Sequence, residues 1–163
     1  MRQANPIIAV DLEGSREEIA KDFGATHFIN SSKEEPVPKI MQLTGGAGAE
    51  YVIDAIGDPG AIIQAWWSLR MGGRLVIPGI TPGDATTNLP LMLLPLHEKA
   101  IIGTLYGGIK PQIDIPRLVD LAMTGVFKLD KLVCRRIKLE QINEAAEAML
   151  HRRIAGRWVI IME

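Results

Sequence analysis

Asp11 ends an apolar run, Pro6-Ile7-Ile8-Ala9-Val10-Asp11, and that pairing is suited to nucleotide chemistry. A carboxylate at the carboxyl end of a buried parallel strand can accept two hydrogen bonds from a ribose diol. Its charge repels a 2′-phosphate, which favours NAD over NADP. The competing reading is a solvated acid opening a loop. In a dinucleotide fingerprint such an acid follows a glycine-rich turn about 20 residues upstream. Only ten residues precede Asp11, and none is glycine. The pattern therefore predicts a nucleotide-binding fold that begins after its first strand and helix. Arg16 lies about one helical turn further on, where it can stack near an adenine or stand as an exposed helix charge.

Two more strand ends carry glycine: Ile56-Gly57 and Pro78-Gly79-Ile80. Ligands of doubly wound sheets sit outside the carboxyl ends of the strands. Glycine there lets backbone approach a flat ring, and a small apolar residue packs on the ring's face. The alternative is that each glycine simply makes a turn. Other chemistry finds little support. None of the three histidines, His27, His97 and His151, has a metal-ligand spacing to another. His97 reads as a surface residue, and the charge of His151 suits a helix end. Cys134 reads as a small core residue in a strand, without a neighbouring base to make it a nucleophile. Glu34-Glu35 and Arg152-Arg153 read as solvated charges. Trp66 and Trp67 cannot both face one core from the same helix, so one is expected to be half exposed or covered by another chain.

These residues need a scaffold, and the rest of the chain supplies its outline. Its 163 residues suit one domain or parts of two, and 47% hydrophobic content is enough for a core. A net charge of −1 gives no electrostatic reason to bind nucleic acid or an anionic membrane. A single cysteine excludes an internal disulfide and fits a reducing cytoplasm. The start, Met1-Arg2-Gln3-Ala4-Asn5-Pro6, leads into too few apolar residues for a signal-peptide core. The apolar run 89–96 is short for a bilayer and holds Pro90 and Pro95. The expectation is a soluble cytoplasmic protein.

Strand and helix signals alternate. Strands are predicted over 7–11, 26–30, 51–56, 74–78 and 99–105. Helices fall between them: 15–23 capped by Ser15, 36–43 stopped by Gly45-Gly46, and 58–69 capped by Asp58 with Pro59 in its first turn. Gly72-Gly73 is expected to end the last of these. Such alternation implies a doubly wound parallel sheet. After Gly107-Gly108-Ile109-Lys110-Pro111 the pattern changes to a helix over 115–123, a strand over 132–137, an amphipathic helix over 139–151 and a strand over 157–162.

Together these segments resemble the C-terminal half of the zinc-containing medium-chain alcohol dehydrogenases. The resembling stretches include Ile7-Ile8-Ala9-Val10-Asp11, Phe23-Gly24-Ala25-Thr26-His27, Leu43-Thr44-Gly45-Gly46 and Val52-Ile53-Asp54-Ala55-Ile56-Gly57. Gly72-Gly73-Arg74-Leu75-Val76, Ile102-Gly103-Thr104-Leu105-Tyr106-Gly107-Gly108 and Ile115-Pro116-Arg117-Leu118-Val119 follow in order. Leu139-Glu140-Gln141-Ile142-Asn143-Glu144-Ala145 and Gly156-Arg157-Trp158-Val159-Ile160 complete the set, which covers almost the whole chain.

The resemblance implies an α/β fold: an incomplete doubly wound (Rossmann) parallel sheet over 1–106, then over 107–163 the part that returns to the family's catalytic domain. It implies hydride transfer between an alcohol and NAD, with a zinc held by Cys and His polarising the alcohol oxygen. Asp11 would bind the adenosine ribose. Ile56, Gly57, Gly79, Ile80, Leu105 and Tyr106 would line the groove, and Arg157 would reach a cofactor phosphate. The strand over 99–105 would be the edge through which a homo-oligomer forms. No position of this sequence, Cys134 included, matches a zinc ligand of the family, and the glycine-rich turn has no counterpart.

The implied first strand belongs between the strand ending at Asp11 and the one ending near Ile56. Without it, those two strands close up, accept a strand from another chain, or aggregate. Loss of two charge-assisted bonds to a pyrophosphate would weaken NAD by on the order of 10²-fold or more. The expectation is a fragment of an NAD-dependent zinc-type alcohol dehydrogenase, inactive alone, with weak or absent NAD binding. The alternative is a non-catalytic module that pairs through its exposed sheet edges with a chain supplying the missing half. A methyltransferase-like Rossmann enzyme also uses an acid after its second strand, but it has no place for the segments 139–145 and 156–160.

Overall fold

The computed structural model describes residues 4–151 and 153–162. Met1, Arg2, Gln3 and Arg152, which entered the leader and surface-charge readings, lie outside the described residues. Among the described residues seven strands alternate with six α-helices: β1 Ile8–Asp11, α1 Glu17–Asp22, β2 His27–Asn30, α2 Pro36–Leu43, β3 Ala49–Ile53, α3 Pro59–Ser68, β4 Leu69–Ile77, α4 Leu93–Leu96, β5 Ala100–Gly103, α5 Pro111–Met123, β6 Val133–Ile137, α6 Ile142–Leu150 and β7 Arg157–Ile160. Every strand pairing is parallel. The protein is thus α/β with parallel sheets, as the alternation of signals requires.

Two compact units divide the chain. The first contains residues up to Gly14 and Gly24–Ile109; the second contains Ser15–Phe23 and the residues from Lys110 onward.

In the first unit the strands form two sheets rather than one. β1 pairs with β2, from Ile8 opposite His27 to Asp11 opposite Asn30. β3, β4 and β5 form the other sheet in that order, with Val52 opposite Leu75 and Leu75 opposite Ile101. β1 and β3 have not closed up: among the described residues each pairs along one edge only. α2 packs against β2 and α3, and α3 packs against β3 and β4. The core lies under α3, where Ile62, Ala65 and Trp66 meet Leu69 and Leu75, with Val52, Ile77, Leu89, Leu93 and Leu94 around them. Trp66 is 0% exposed and Trp67 is 48% exposed, the split that one helical face demands.

Several local expectations change. Asp58 caps α3 as its sequence suggests, accepting the Ala61 N–H at 3.0 Å, with Pro59 at the first position. But α3 ends at Ser68, and Gly72-Gly73 lies within the long strand β4. Gly72 sits in the irregular stretch of β4 where its pairing with β3 shifts register, at φ 70°, and its N–H donates to the His97 carbonyl at 2.8 Å. Ser15 is not a cap: a 3-10 turn spans Gly14–Arg16, and Arg16 precedes α1 without a side-chain cap bond. α5 begins at Pro111 and carries Pro116 inside it. One missing N–H leaves the other helical bonds of a 13-residue helix in place.

In the second unit β6 and β7 form a parallel pair from Val133 opposite Arg157 to Ile137 opposite Ile160. Ile137 and Ala148 are its buried apolar residues. Residues 15–23 are held to this unit by Lys131, which bonds the Asp22 carboxylate, and by Lys128, whose ammonium reaches the Asp22 carbonyl at 3.2 Å. Cys134 is an exposed free thiol rather than a core residue. Its thiol donates to the Arg157 carbonyl at 3.4 Å, and strand alternation places it with Arg136 on the exposed face of β6. Among the described residues, no helix is long and apolar enough to cross a membrane.

Candidate functional site

The turns that follow β3 and β4 meet at the carboxyl end of the three-stranded sheet. The Asp54 N–H donates to the Val76 carbonyl at 2.9 Å, and the Asp54 carbonyl accepts the Gly79 N–H at 3.3 Å, carrying the ladder one step past the strands. The Asp54 side chain, 6% exposed, turns inward, where Oδ2 accepts the Gly57 N–H at 2.9 Å. Gly57 sits at φ 76°, a conformation that L side chains rarely adopt. A Cβ on Gly79 would lie 2.5 Å from the Gly57 nitrogen, and one on Gly57 would lie 2.8 Å from the Ile80 carbonyl carbon. Both positions therefore admit glycine alone without displacement. The two backbones touch, while Ile56 and Ile80 stay exposed on the surface beside them. The result is a flat ledge with apolar side chains at its margin.

β5 ends beside this ledge, since the Thr104 N–H donates to the Ile77 carbonyl at 3.1 Å. Leu105 and Tyr106 follow at once and are both exposed. Tyr106 adopts φ 49°, and Gly107 and Gly108 follow at φ 72° and 68°. A bulky residue in the left-handed region costs about 1–3 kcal/mol and persists where its surroundings impose it. Here the Gly108 N–H closes the turn on the Leu105 carbonyl at 2.9 Å.

Asp11 ends β1 in the other sheet of this unit. Its Oδ1 accepts the Glu13 N–H at 2.9 Å, which orients the carboxylate at the strand's carboxyl end. The sequence-predicted residues Ile56, Gly57, Gly79 and Ile80 are thus brought into one ledge with Leu105 and Tyr106 next to it, and Asp11 belongs to the same unit. Arg16 and Arg157 belong to the other unit. The Arg157 guanidinium donates to the Gly156 carbonyl at 3.0 Å. A shallow cleft of about 430 Å³ in that unit is lined by Glu144, Glu147, Ala148, Arg153 and Trp158, none of which the sequence singles out for a ligand.

The donor set can be tested against both groups that the sequence suggests. A nicotinamide nucleotide fits in part: exposed Ile56 and Ile80 beside the two glycine turns offer apolar surface to a ring, and the Asp11 carboxylate suits a ribose diol. A pyrophosphate fits less well. The N-terminus of α3 follows Gly57, but Pro59 lacks an N–H and the Asp58 carboxylate already occupies the cap. Zinc does not fit, because no three His, Cys, Asp or Glu residues converge as ligands among the described residues.

Sequence reasoning missed Asp54, which it read as one more strand residue. The signal was present. An Asp three residues before a glycine, Asp54-Ala55-Ile56-Gly57, is the spacing at which a short carboxylate reaches a turn N–H.

Comparison with known proteins places this geometry. The family profile described as zinc-binding dehydrogenase matches residues 1–124. The chain is 34% identical over 153 residues to alcohol dehydrogenase-like 5 of Arabidopsis thaliana, covering 92% of this chain and 39% of that protein. It is 37% identical over 141 residues to the NDMA-dependent alcohol dehydrogenase of Amycolatopsis methanolica, covering 85% of this chain and 38% of the other. Among solved structures, benzyl alcohol dehydrogenase from Acinetobacter calcoaceticus superposes with a TM-score of 0.90 at 33% identity, over 98% of this chain and 43% of that one. The alcohol dehydrogenase of Aeropyrum pernix gives 0.81 at 28% identity, over 96% and 43%. The chain spans about two fifths of the length of the curated relatives it matches. With its parallel sheets, its glycine ledge and these likenesses, the chain belongs to the zinc-containing medium-chain alcohol dehydrogenase family.

Proposed function

We propose that these residues form the greater part of the cofactor groove of an NAD-dependent alcohol dehydrogenase, and that this chain does not perform hydride transfer by itself. The observation that carries the reading is the Gly57–Gly79 contact at the ends of β3 and β4. That contact fixes both turns at the carboxyl end of the sheet, where doubly wound folds bind their ligands, with Ile56 and Ile80 exposed beside them. In such an enzyme NAD supplies the hydride acceptor. The role of this chain is to bind and orient it. Asp11 would take the adenosine ribose through its carboxylate, and its charge would disfavour a 2′-phosphate. Ile56, Gly57, Gly79 and Ile80 would support a ring, and Leu105 and Tyr106 would flank it.

The described donors do not form a site for zinc, so the chemistry zinc would supply has no holder among them. Isothermal titration calorimetry with NAD tests the reading. Weak binding is expected, on the order of 10²-fold below that of a groove with a complete pyrophosphate cradle. A sub-micromolar dissociation constant, or turnover of an alcohol by the chain alone, would overturn it.

One observation favours a second reading, an interaction module that pairs with another chain. β1 and β3 each leave one parallel edge unpaired among the described residues, and Ile53 on β3 is 68% exposed. Such an edge is a template for another strand. The outer edge of β5 offers a second one, suited to a homo-oligomer. Size-exclusion chromatography with light scattering decides: a stable oligomer supports pairing, and a monodisperse monomer excludes it.

A further inference from the structure

We propose that Asp54 is a positioning residue for the dinucleotide groove, its buried carboxylate holding the turn after β3 against the turn after β4. The proposal rests on reading this unit as a cofactor-binding domain, and it names the group that sets the shape of the ledge. Three hydrogen bonds converge on Asp54. Its N–H reaches Val76, its carbonyl takes the Gly79 N–H, and its Oδ2 takes the Gly57 N–H at 2.9 Å. One residue thereby ties both glycine turns together.

Side-chain packing does little here: Ala55 and Ile56, the residues between Asp54 and Gly57, are both exposed. Gly57 itself is buried, so its N–H needs an acceptor within the protein. With an apolar residue at 54 that N–H would be left unmade, and the turn would relieve it by swinging outward, away from Ile80. The close approach that makes the ledge flat would open with it. A carboxylate in a buried position is itself costly unless hydrogen-bonded, so the bond and the burial support each other.

The test compares wild type with Asp54→Asn, which keeps an oxygen acceptor, and Asp54→Ala, which removes it. Amide exchange by NMR should find the Gly57 N–H protected in wild type and Asp54→Asn, and exchanging at least about tenfold faster in Asp54→Ala. The Leu75 and Val76 amides should be unchanged. Titration with NADH, followed by amide shifts of the full chain, should give about tenfold weaker binding for Asp54→Ala and near-native binding for Asp54→Asn.

Equal Gly57 exchange in all three proteins overturns the proposal. So does a freed Gly57 amide with unchanged NADH affinity, since that outcome is purely structural. If wild type binds no NADH, the cofactor reading fails separately, and the Gly57 exchange pattern alone decides whether Asp54 holds the turn. Should Asp54→Ala not fold, Asp54→Glu carries the same expectation, because it keeps the charge but moves the acceptor by one methylene.

Discussion

In the first unit α3 drives Ile62, Ala65 and Trp66 onto Leu69 and Leu75, and an apolar cluster closes around them. In the second, α5 runs for 13 residues without burying one, and Ile113, Leu118, Val119 and Met123 stay open to solvent. Both units are rich in apolar side chains, so composition does not separate them. The difference is whether the chain itself supplies the opposing face. α3 packs on the three-stranded sheet through β3 just before it and β4 just after it, whereas the apolar stripe of α5 meets no such surface among the described residues. A helix gains most of its stability from packing rather than propensity, so the first unit carries its own driving force and the second carries less.

The contrast can be broken most sharply at Trp66. Trp66→Ala removes the largest fully buried side chain and should cost about 3–5 kcal/mol, most of the stability of a marginal domain. Urea denaturation followed by circular dichroism should show the first unit's transition shifted or lost. A small shift would mean that the core around α3 is not what holds this unit. Gly79→Ala comes next, because its methyl would press on the Gly57 nitrogen. A cost of about 1–3 kcal/mol is expected, together with weakened NADH binding, and unchanged values for both would show that the ledge is pliable.

Two ionisable groups sharpen the comparison through pH. Lys99, in the first unit, lies 4.8 Å over the Trp66 ring and donates to the Trp66 carbonyl at 3.2 Å. Burial lowers its pKa from an ordinary value near 10.5. The unfolded chain therefore binds more protons between the lowered value and the ordinary one, and stability should rise with pH across that window. Lys99→Met should flatten the rise in denaturation curves measured at pH 8 to 10.5.

Asp22, in the second unit, shows the opposite sign. The hydrogen bond from Lys131 lowers its pKa below the ordinary 3.8, so its stabilisation is present above that value and is lost as pH falls through the lowered one. The effect should be smaller, because the pair is exposed, and Lys131→Met should remove most of it in acid titrations, leaving the weaker pull of Lys128. Smallest of all is Val119→Ser on α5, expected within about 0.5 kcal/mol of wild type in the same urea assay. A loss of about 2 kcal/mol or more would reveal a covering surface for α5 and erase the difference between the two units.

Much of this architecture is legible in the residues because it is local. The Asp58-Pro59 pair caps α3, Gly24 at φ 101° follows α1, and the Trp66-Trp67 dipeptide divides between inside and outside, each through rules that act within one or two turns. Local rules fail where a distant partner intervenes. Gly72-Gly73 reads as a helix stop but is drawn into β4, where Gly73 is buried and a Cβ on it would meet the Ala49 carbonyl at 3.1 Å. Cys134 reads as core, yet along β6 it falls with Arg136 on the exposed face, while Val133, Arg135 and Ile137 turn inward, and which face is covered depends on what packs against the strand.

The same division holds at the candidate site. Strand-ending Asp11 and the glycines at 57 and 79 can be named from the chain alone, because a turn at a strand end demands particular residue types at fixed offsets. Which of them touch could not be read from it. That Gly57 and Gly79 press backbone to backbone, that Asp54 turns inward beneath them, and that β1 and β3 sit in separate sheets are matters of strand pairing. Pairing joins residues far apart along the chain, so its outcome depends on how whole sheets pack and which edges find partners, and short-range periodicity does not encode that.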